Sequence, residues 1–175
     1  IPESVAGSSP NAEFETCGAS VEQHFRTDTY VGIGGEWLAS NVERAIGVYE
    51  AVTGTPRVSS TRQNLDYRER NVSLTVNQLL GDYWSAGIGY RLSEADLTTL
   101  VPEIPSAVNP SARGQQRSVL HQCGLHLGFN IPSGFFARAD ALWMRQMNGG
   151  ENAGAVPGDD FWQHDLYLGY RWPRR

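Results

Sequence analysis

The end of the chain, residues 161–172, restricts the fold more than any other stretch, because two kinds of side chain alternate along it. Successive side chains of an extended strand point to opposite faces. One face of a strand here would carry mainly apolar and aromatic residues: Trp162, His164, Leu166, Leu168, Tyr170 and Trp172. The other face would carry mainly polar residues and a glycine: Gln163, Asp165, Tyr167, Gly169 and Arg171. The alternation therefore predicts a strand whose two faces meet different environments.

The length of this strand matches that of a membrane-crossing strand. Ten residues at about 3.3 Å each, tilted by about 40°, rise roughly 25 Å, the height of the lipid-facing band of a transmembrane β-barrel. The 175 residues contain no apolar run long enough for a transmembrane helix, which needs about 18 apolar residues. A barrel needs an apolar residue only at every second position. The sequence therefore favours a strand with one side against lipid and the other toward a polar lumen.

The same alternation recurs in earlier segments and predicts an all-β protein. The predicted strands are 23–38, 43–52, 66–80, 83–92, 118–130, 135–146 and 161–172. Residues 1–20 are predicted as an N-terminal tail or loop, within which 12–16 is a weak candidate for an eighth strand. Residues 21–175 are predicted to form one antiparallel, up-and-down transmembrane β-barrel domain. Two sizes stay open: a barrel of about eight strands, or the last strands of a wider barrel.

The predicted connections alternate between short and long. Short turns are expected near Asn41, Asp82 and Ser133, and longer loops near Pro56, Pro105 and Pro157. Outer-membrane barrels have short periplasmic turns and longer outer loops. Amphipathic aromatic rings are favoured at both membrane interfaces. We therefore expect Trp37, Trp84 and Trp172 at the periplasmic interface and Trp143 and Trp162 at the outer one.

The face opposite the apolar residues carries charged side chains. The predicted lumen-lining residues are Arg26, Asp28, Glu36, Arg91, Arg138, Asp140, Asp165 and Arg171. In a wide pore such charges tune the selectivity for ions or solutes. In a narrow barrel they would pair with one another, because an unpaired buried charge is costly. A soluble barrel or sandwich, with the apolar face turned inward, is the alternative fold.

The chain resembles bacterial outer-membrane β-barrel proteins over about residues 22–175. Such proteins commonly finish in a strand with alternating apolar residues and a terminal aromatic, which the barrel-assembly machinery reads. The runs 158–163 and 169–175 look like such an ending, although residues 173–175 extend beyond the pattern. Segments 77–92 and 133–146 are similar to the C-terminal barrels of larger outer-membrane proteins that carry helical repeats ahead of the barrel. The resemblance implies a location in the bacterial outer membrane.

Other chemistries receive little support from the residues. The net charge of -5 argues against a nucleic-acid partner. His121 and Cys123 would share a strand face while His126 would not, so no metal site is predicted. There is no Gly-x-Ser-x-Gly elbow, phosphate loop, dinucleotide fingerprint or haem-attachment motif, so neither an enzyme nor a cofactor is predicted. The cysteines, Cys17 and Cys123, are compatible with one disulfide or with two free thiols.

Three functional hypotheses follow from the sequence. The first is a porin-like pore or export conduit in the outer membrane of a Gram-negative bacterium, surrounded by outer-membrane lipid. The export role rests on the resemblance alone. The second is a small structural or adhesive outer-membrane barrel whose outer loops, 93–116 and 148–160, bind a protein or polysaccharide partner. The third is a soluble β-barrel that binds an apolar ligand.

Overall fold

A computed structural model describes residues 13–52, 55–150 and 157–172. They form seven strands: β1 (Glu13–His24), β2 (Thr29–Val52), β3 (Thr55–Leu80), β4 (Trp84–Leu100), β5 (Arg113–Asn130), β6 (Phe135–Gly150) and β7 (Asp159–Tyr170). Each strand pairs antiparallel with the next one in the chain. The prediction of an all-β, antiparallel, up-and-down fold is confirmed. The sheet is open rather than closed into a barrel, since β1 and β7 are its two edges.

Three tight turns, 25–28, 81–83 and 131–134, lie at one end of the sheet, which we call the turn end. In the first turn the backbone N–H of Phe25 donates to the carbonyl oxygen of Thr29 over 2.8 Å. Asp28 has a φ of 57° there, a left-handed conformation that aspartate adopts more readily than most residues. Gly134 ends the third turn with a φ of 102°, where a side chain would be strained. We call the opposite end of the sheet the loop end.

The first strands differ from the prediction. β1 begins at Glu13, so residues 13–20 are strand rather than tail, while 1–12 lie outside the described residues. The predicted turn near Asn41 is wrong, because β2 continues through it to Val52. Asn41 pairs with Glu13 on one side and with Asp66 on the other. Pairing with two neighbouring strands overrides the local preference of a Ser-Asn pair for a turn.

β2 and β3 extend beyond their neighbours at the loop end. Pairing of β2 with β1 stops at Asn41, and pairing of β3 with β4 begins at Asn64. Residues 42–52 and 55–63 therefore form a two-stranded extension, which we call the β2–β3 ribbon. The loop predicted around Pro56 is wrong for residues 55–62, because these belong to β3. Proline is tolerated at this point because only one strand lies beside it.

Few side chains are buried in the part of the chain that the structure describes. Among the residues that the structure describes, the buried apolar side chains are Leu38, Val42, Val101 and Ala112. The last two belong to the connection between β4 and β5, where the N–H of Val101 donates to the carbonyl oxygen of Ala112 over 2.7 Å. The small core therefore lies toward the loop end.

The two faces of the sheet differ in how closely their side chains approach. A Cβ added to Gly87 would overlap the side chains of His126 and Asn77, and one added to Gly169 would overlap the ring of Phe136. A Cβ added to Gly35, on the opposite face, would meet its nearest atom at 3.6 Å. At Gly87 and Gly169, glycine therefore lets a neighbouring side chain lie over the backbone.

Candidate functional site

One face of the sheet, which we call the apolar face, carries a row of uncharged side chains across all seven strands. From β1 to β7 the strand register aligns this row as Val21, Ile33, Leu74, Tyr90, Cys123, Trp143 and Trp162. Further rows toward the turn end contain Val76, Ile88 and Leu125 side by side. We call the region from the first row to the turn end the apolar band. Among its described strand residues none is an Asp, Glu or Arg.

The side chains of the apolar band are exposed. Leu166 is 71% exposed, Leu168 65% and Ile33 56%. A shallow groove of about 680 Å³ crosses the middle of the band over the small side chains of Ala86, Ala139 and Ala141. The largest apolar patch of an ordinary soluble monomer covers only about 300–600 Å². The apolar band extends across all seven strands of the sheet.

Aromatic rings border the band at the turn end. The rings of Trp84 and Phe129 lie 4.5 Å apart between centroids, and those of Tyr170 and Trp172 lie 4.8 Å apart. Phe135 joins them, with its ring centroid 6.3 Å from that of Phe129. These rings come from β4–β7 and from the residues that follow β7. The predicted placement of Trp84 and Trp172 at the same end is therefore the placement found.

A second aromatic border lies toward the loop end. Trp143 and Trp162 face each other across β6 and β7 with ring centroids 6.5 Å apart, and Trp162 also stacks on His164. Trp37 lies on this side too, because it pairs with Arg70, two rows beyond the row of Trp143. The expectation that Trp37 shares an end with Trp84 is wrong. Its cause is the turn predicted at Asn41, which would have reversed the direction of this part of the chain.

Charged residues appear on the apolar face only beyond the band, toward the loop end. Arg70 lies opposite Glu94, and Arg68 lies opposite Asp96, on β3 and β4. Arg117 of β5 approaches Glu94 with 2.5 Å between Nη2 and Oε1. The apolar face therefore divides into an uncharged region and a charged one with a sharp boundary. We call this charged region the charge belt.

The opposite face, which we call the polar face, holds five of the predicted lumen-lining residues. Glu36 and Arg91 line one cavity of about 340 Å³ together with Asn71 and Ser73. Arg138 and Asp140 of β6 form an ion pair, with 2.8 Å between Nε and Oδ2.

Asp165 lies directly opposite Asp140 in the β6–β7 pairing. It accepts a hydrogen bond of 3.0 Å from the side-chain amide of Gln163. The three other predicted residues do not lie on the strands: Arg26 and Asp28 belong to the first turn, and Arg171 follows β7. The guanidinium carbon of Arg171 lies 4.9 Å from the centre of the Phe136 ring.

The polar face also carries acidic residues that the sequence reasoning missed. Glu22 of β1 pairs with Gly32 of β2, on the crowded face of the sheet. Glu69 of β3 accepts hydrogen bonds from the hydroxyl of Tyr67 over 2.7 Å and from the amide of Asn71 over 3.0 Å. The alternation within the predicted strand 66–80 already puts Glu69 on the same face as Asn71. This alternation is the sequence signal that would have identified Glu69 as a residue of the polar face.

The histidines and cysteines do not assemble into a metal centre in the described part of the chain. His121 lies on the apolar face, where its Nδ1 is 2.7 Å from the hydroxyl of Tyr90, while His126 lies on the polar face. Among the described residues no three His, Cys, Asp or Glu side chains are placed to hold a metal ion. Cys17 and Cys123 are both free thiols. The disulfide alternative therefore does not apply.

The connection between β4 and β5 packs against the β2–β3 ribbon. The hydroxyl of Thr61 donates to Glu103 Oε2 over 2.8 Å, and Arg62 Nε lies 3.4 Å from Oε1 of the same carboxylate. These hydrogen bonds lower the pKa of Glu103, the bond from Thr61 most, because they favour the charged form of the carboxylate. Glu103 therefore holds the connection onto β3.

No protein-family model matches the chain, and no curated protein is significantly similar to it. The helical content of the described residues is confined to the short 3-10 turn Pro110–Ala112, so no helix in them is long and apolar enough to cross a membrane.

Proposed function

We propose that this sheet is part of the wall of an outer-membrane β-barrel that acts as a pore or export conduit in a Gram-negative bacterium. In this proposal the apolar band contacts lipid and the polar face lines a water-filled passage. The observation that carries the proposal is the apolar band, which crosses all seven strands and is exposed. Lipid is the partner that suits a broad, uncharged and laterally continuous surface of this kind.

The positions of the tryptophans support the same orientation. The chain has five tryptophans. Trp37, Trp84, Trp143 and Trp162 lie on the apolar face, and Trp172 continues its alternation after β7. Indole rings concentrate where hydrocarbon meets water, because one part of the ring is apolar and the N–H needs a partner. The charge belt lies beyond the loop-end border, where headgroups and water would solvate it.

The backbone N–H and C=O groups of the internal strands are hydrogen-bonded on both sides within the apolar band, as a lipid environment requires. Each unsatisfied backbone N–H or C=O in hydrocarbon costs several kcal/mol, so spanning strands must be paired on both sides. β2 to β6 have a neighbour on both sides within the apolar band. The proposal therefore requires that the outer edges of β1 and β7 also be paired in the membrane.

Depth-dependent fluorescence quenching tests the lipid contact. The protein is folded into vesicles whose lipids carry bromine atoms at either a shallow or a deep acyl position. Because the tryptophans border the band rather than fill its centre, we expect quenching by both lipids, and stronger quenching by the shallow one. As a control, soluble iodide should quench the same protein less in vesicles than in urea. Emission that the brominated lipids leave unchanged would refute lipid contact.

Planar-bilayer recordings test the passage itself. The protein in a lipid bilayer should give discrete, reproducible conductance steps, because the polar face carries charged side chains such as Arg138, Asp140 and Asp165 that would be solvated in a water-filled passage. Protein that is quenched by brominated lipids but gives no steps would be a membrane sheet with a filled interior. That result would discard the pore and retain the membrane location.

A second candidate function, binding of a protein partner at the loop end, rests on the β2–β3 ribbon. Tyr49 and Val58 lie directly opposite each other on the ribbon and are 79% and 82% exposed. They lie far beyond the charge belt, so lipid would not cover them. A two-stranded ribbon is only marginally stable by itself. Replacing Tyr49 and Val58 with serine should abolish partner binding and leave the conductance unchanged. If the double variant loses partner binding and conductance to the same extent, a separate binding function is contradicted.

A further inference from the structure

We propose that the passage favours small cations over anions, because the polar face carries an excess of acidic side chains. This inference rests on the proposed pore function and adds the class of solute that the pore admits. It is carried by the number, pairing and distribution of the charged groups on that face, which the strand register identifies.

The strand residues of the polar face, from the turn end to the row of Glu69, include six acids and two bases. The acids are Glu22, Glu36, Glu69, Asp140, Asp159 and Asp165, and the bases are Arg91 and Arg138. The turns beside this face do not change the balance. Arg26 and Arg171 there are matched by Asp28 and Asp82. The polar face between the turn end and the row of Glu69 is therefore acidic overall.

Only one of these acids is neutralised by a direct ion pair among the described residues. Asp140 is bound to Arg138. Glu69 and Asp165 accept hydrogen bonds from neutral donors, the hydroxyl of Tyr67 and the amides of Asn71 and Gln163. A neutral donor carries no positive charge, so it leaves the charge of a carboxylate uncompensated. The negative field of the face is therefore not cancelled locally.

The acids are spread over β1, β2, β3, β6 and β7 rather than gathered in one place. Among its described residues, the face accordingly has no cluster of three acids that would form a single cation-binding site. It has instead a negative potential along much of the wall. Charged side chains that line a passage raise the local concentration of counter-ions and set its selectivity. The acids lie on the same face of one continuous sheet, so their fields add.

The sign of the reversal potential across a salt gradient tests the inference. The unaltered protein is reconstituted in a planar bilayer with a low KCl concentration on one side and a higher one on the other. At about 0.1 M salt we expect K⁺ to permeate roughly 3 to 10 times better than Cl⁻. The ratio should fall toward 1 at about 1 M, where the screening length is only about 3 Å. If the protein conducts but the K⁺/Cl⁻ permeability ratio at low salt is 1 or below, the cation preference alone is wrong. If it does not conduct, the proposed pore function is wrong as well.

Matched substitutions on β1 assign the preference to the polar face. Glu22→Gln removes an acid from the polar face, and Glu15→Gln removes one from the opposite face of the same strand. Glu22→Gln should lower the K⁺/Cl⁻ ratio, and the triple variant with Glu69→Gln and Asp165→Asn should remove most of it. Glu15→Gln should leave the ratio unchanged. An equal effect of Glu15→Gln and Glu22→Gln would overturn the assignment. Unchanged unitary conductance in each variant at about 1 M salt, where the fixed charges are screened, would show that the wall is intact.

Discussion

Replacing Leu166 with arginine tests which face of the sheet meets lipid. Leu166 lies in the middle of the apolar band and is 71% exposed, so most of its side chain contacts whatever covers that face. Full burial of a leucine contributes about 1.5–3 kcal/mol, which gives about 1–2 kcal/mol for this fraction. An arginine at the centre of a bilayer costs about 2–4 kcal/mol on the lipid face of a barrel. Leu166→Arg should therefore destabilise the protein in vesicles by about 3–6 kcal/mol.

The measurement is reversible denaturant unfolding of the protein in vesicles, followed by tryptophan fluorescence. The matched control is Gln163→Arg, which places the same side chain on the polar face of the same strand. An arginine surrounded by water should change the free energy of unfolding by no more than about 0.5 kcal/mol. If Leu166→Arg is as mild as the control, the apolar band does not contact hydrocarbon. The proposed orientation, with the apolar face toward lipid and the polar face toward water, would then be wrong.

Three further predictions address packing, a thiol and a carboxylate. Gly87→Ala should lower the free energy of unfolding by about 1–3 kcal/mol in the same assay, because the added Cβ overlaps the side chains of His126 and Asn77. Adding His126→Ala should recover part of this stability. A Gly87→Ala variant as stable as the unaltered protein would contradict the crowding of the polar face. In vesicles, a membrane-impermeant charged maleimide should modify Cys123 far more slowly than in urea, because Cys123 lies in the apolar band; equal rates would show that water reaches the band. The pKa of the Glu103 carboxyl should lie below the ordinary glutamate value, and Thr61→Val should raise it, as measured by NMR titration. Because the folded pKa is the lower one, the contact of Glu103 with β3 stabilises above the ordinary pKa and is lost as the pH falls through the lowered one; a pKa that Thr61→Val leaves unchanged would refute the role of the hydroxyl.

The strands of the second half of the chain could be predicted from the sequence because each is bounded by a connection with clear turn chemistry. Residues 135–146 were predicted as a strand, and β6 runs from Phe135 to Gly150. The faces were also predicted, since Trp143 and Trp162 share the apolar face as the alternation requires. The alternation of side chains is sufficient to predict the bounds and faces of a strand where glycine or proline marks the adjoining turn, as at Ile131–Gly134.

The first strands could not be predicted in the same way, for two physical reasons. His24 pairs with Tyr30, and the five residues between them are an odd number, so the period of two passes through this reversal without a change of phase. Phe25 and Ile33 have the same parity although a reversal of the chain separates them. In contrast, the Ser-Asn pair at 40 and 41 has the composition of a turn, but lies between two neighbouring strands. Local composition does not report that tertiary pairing.

The candidate site was predictable in outline and not in its details. The alternation identified the charged face, including Glu36, Arg91 and Asp165. It did not reveal that Asp140 is neutralised by Arg138. Their shared parity places both residues on one face, but the ion pair forms only when their side chains adopt suitable rotamers, which the sequence does not specify. It also left the excess of acids undetected, since Glu22 and Glu69 fell outside the chosen set. The balance of charge became visible only when the register aligned all seven strands.

The height of the apolar band has a consequence for the bilayer that would suit this protein. Trp143 lies eight positions after Phe135 on β6, and Tyr170 lies eight positions after Trp162 on β7. With about 3.3 Å per residue and a tilt of about 40°, the borders lie roughly 20 Å apart. An average hydrocarbon core is about 30 Å thick. Mismatch costs fractions of a kcal/mol per ångström, so short-chain lipids should accommodate the sheet best, and acyl-chain length becomes a determinant of where it is stable.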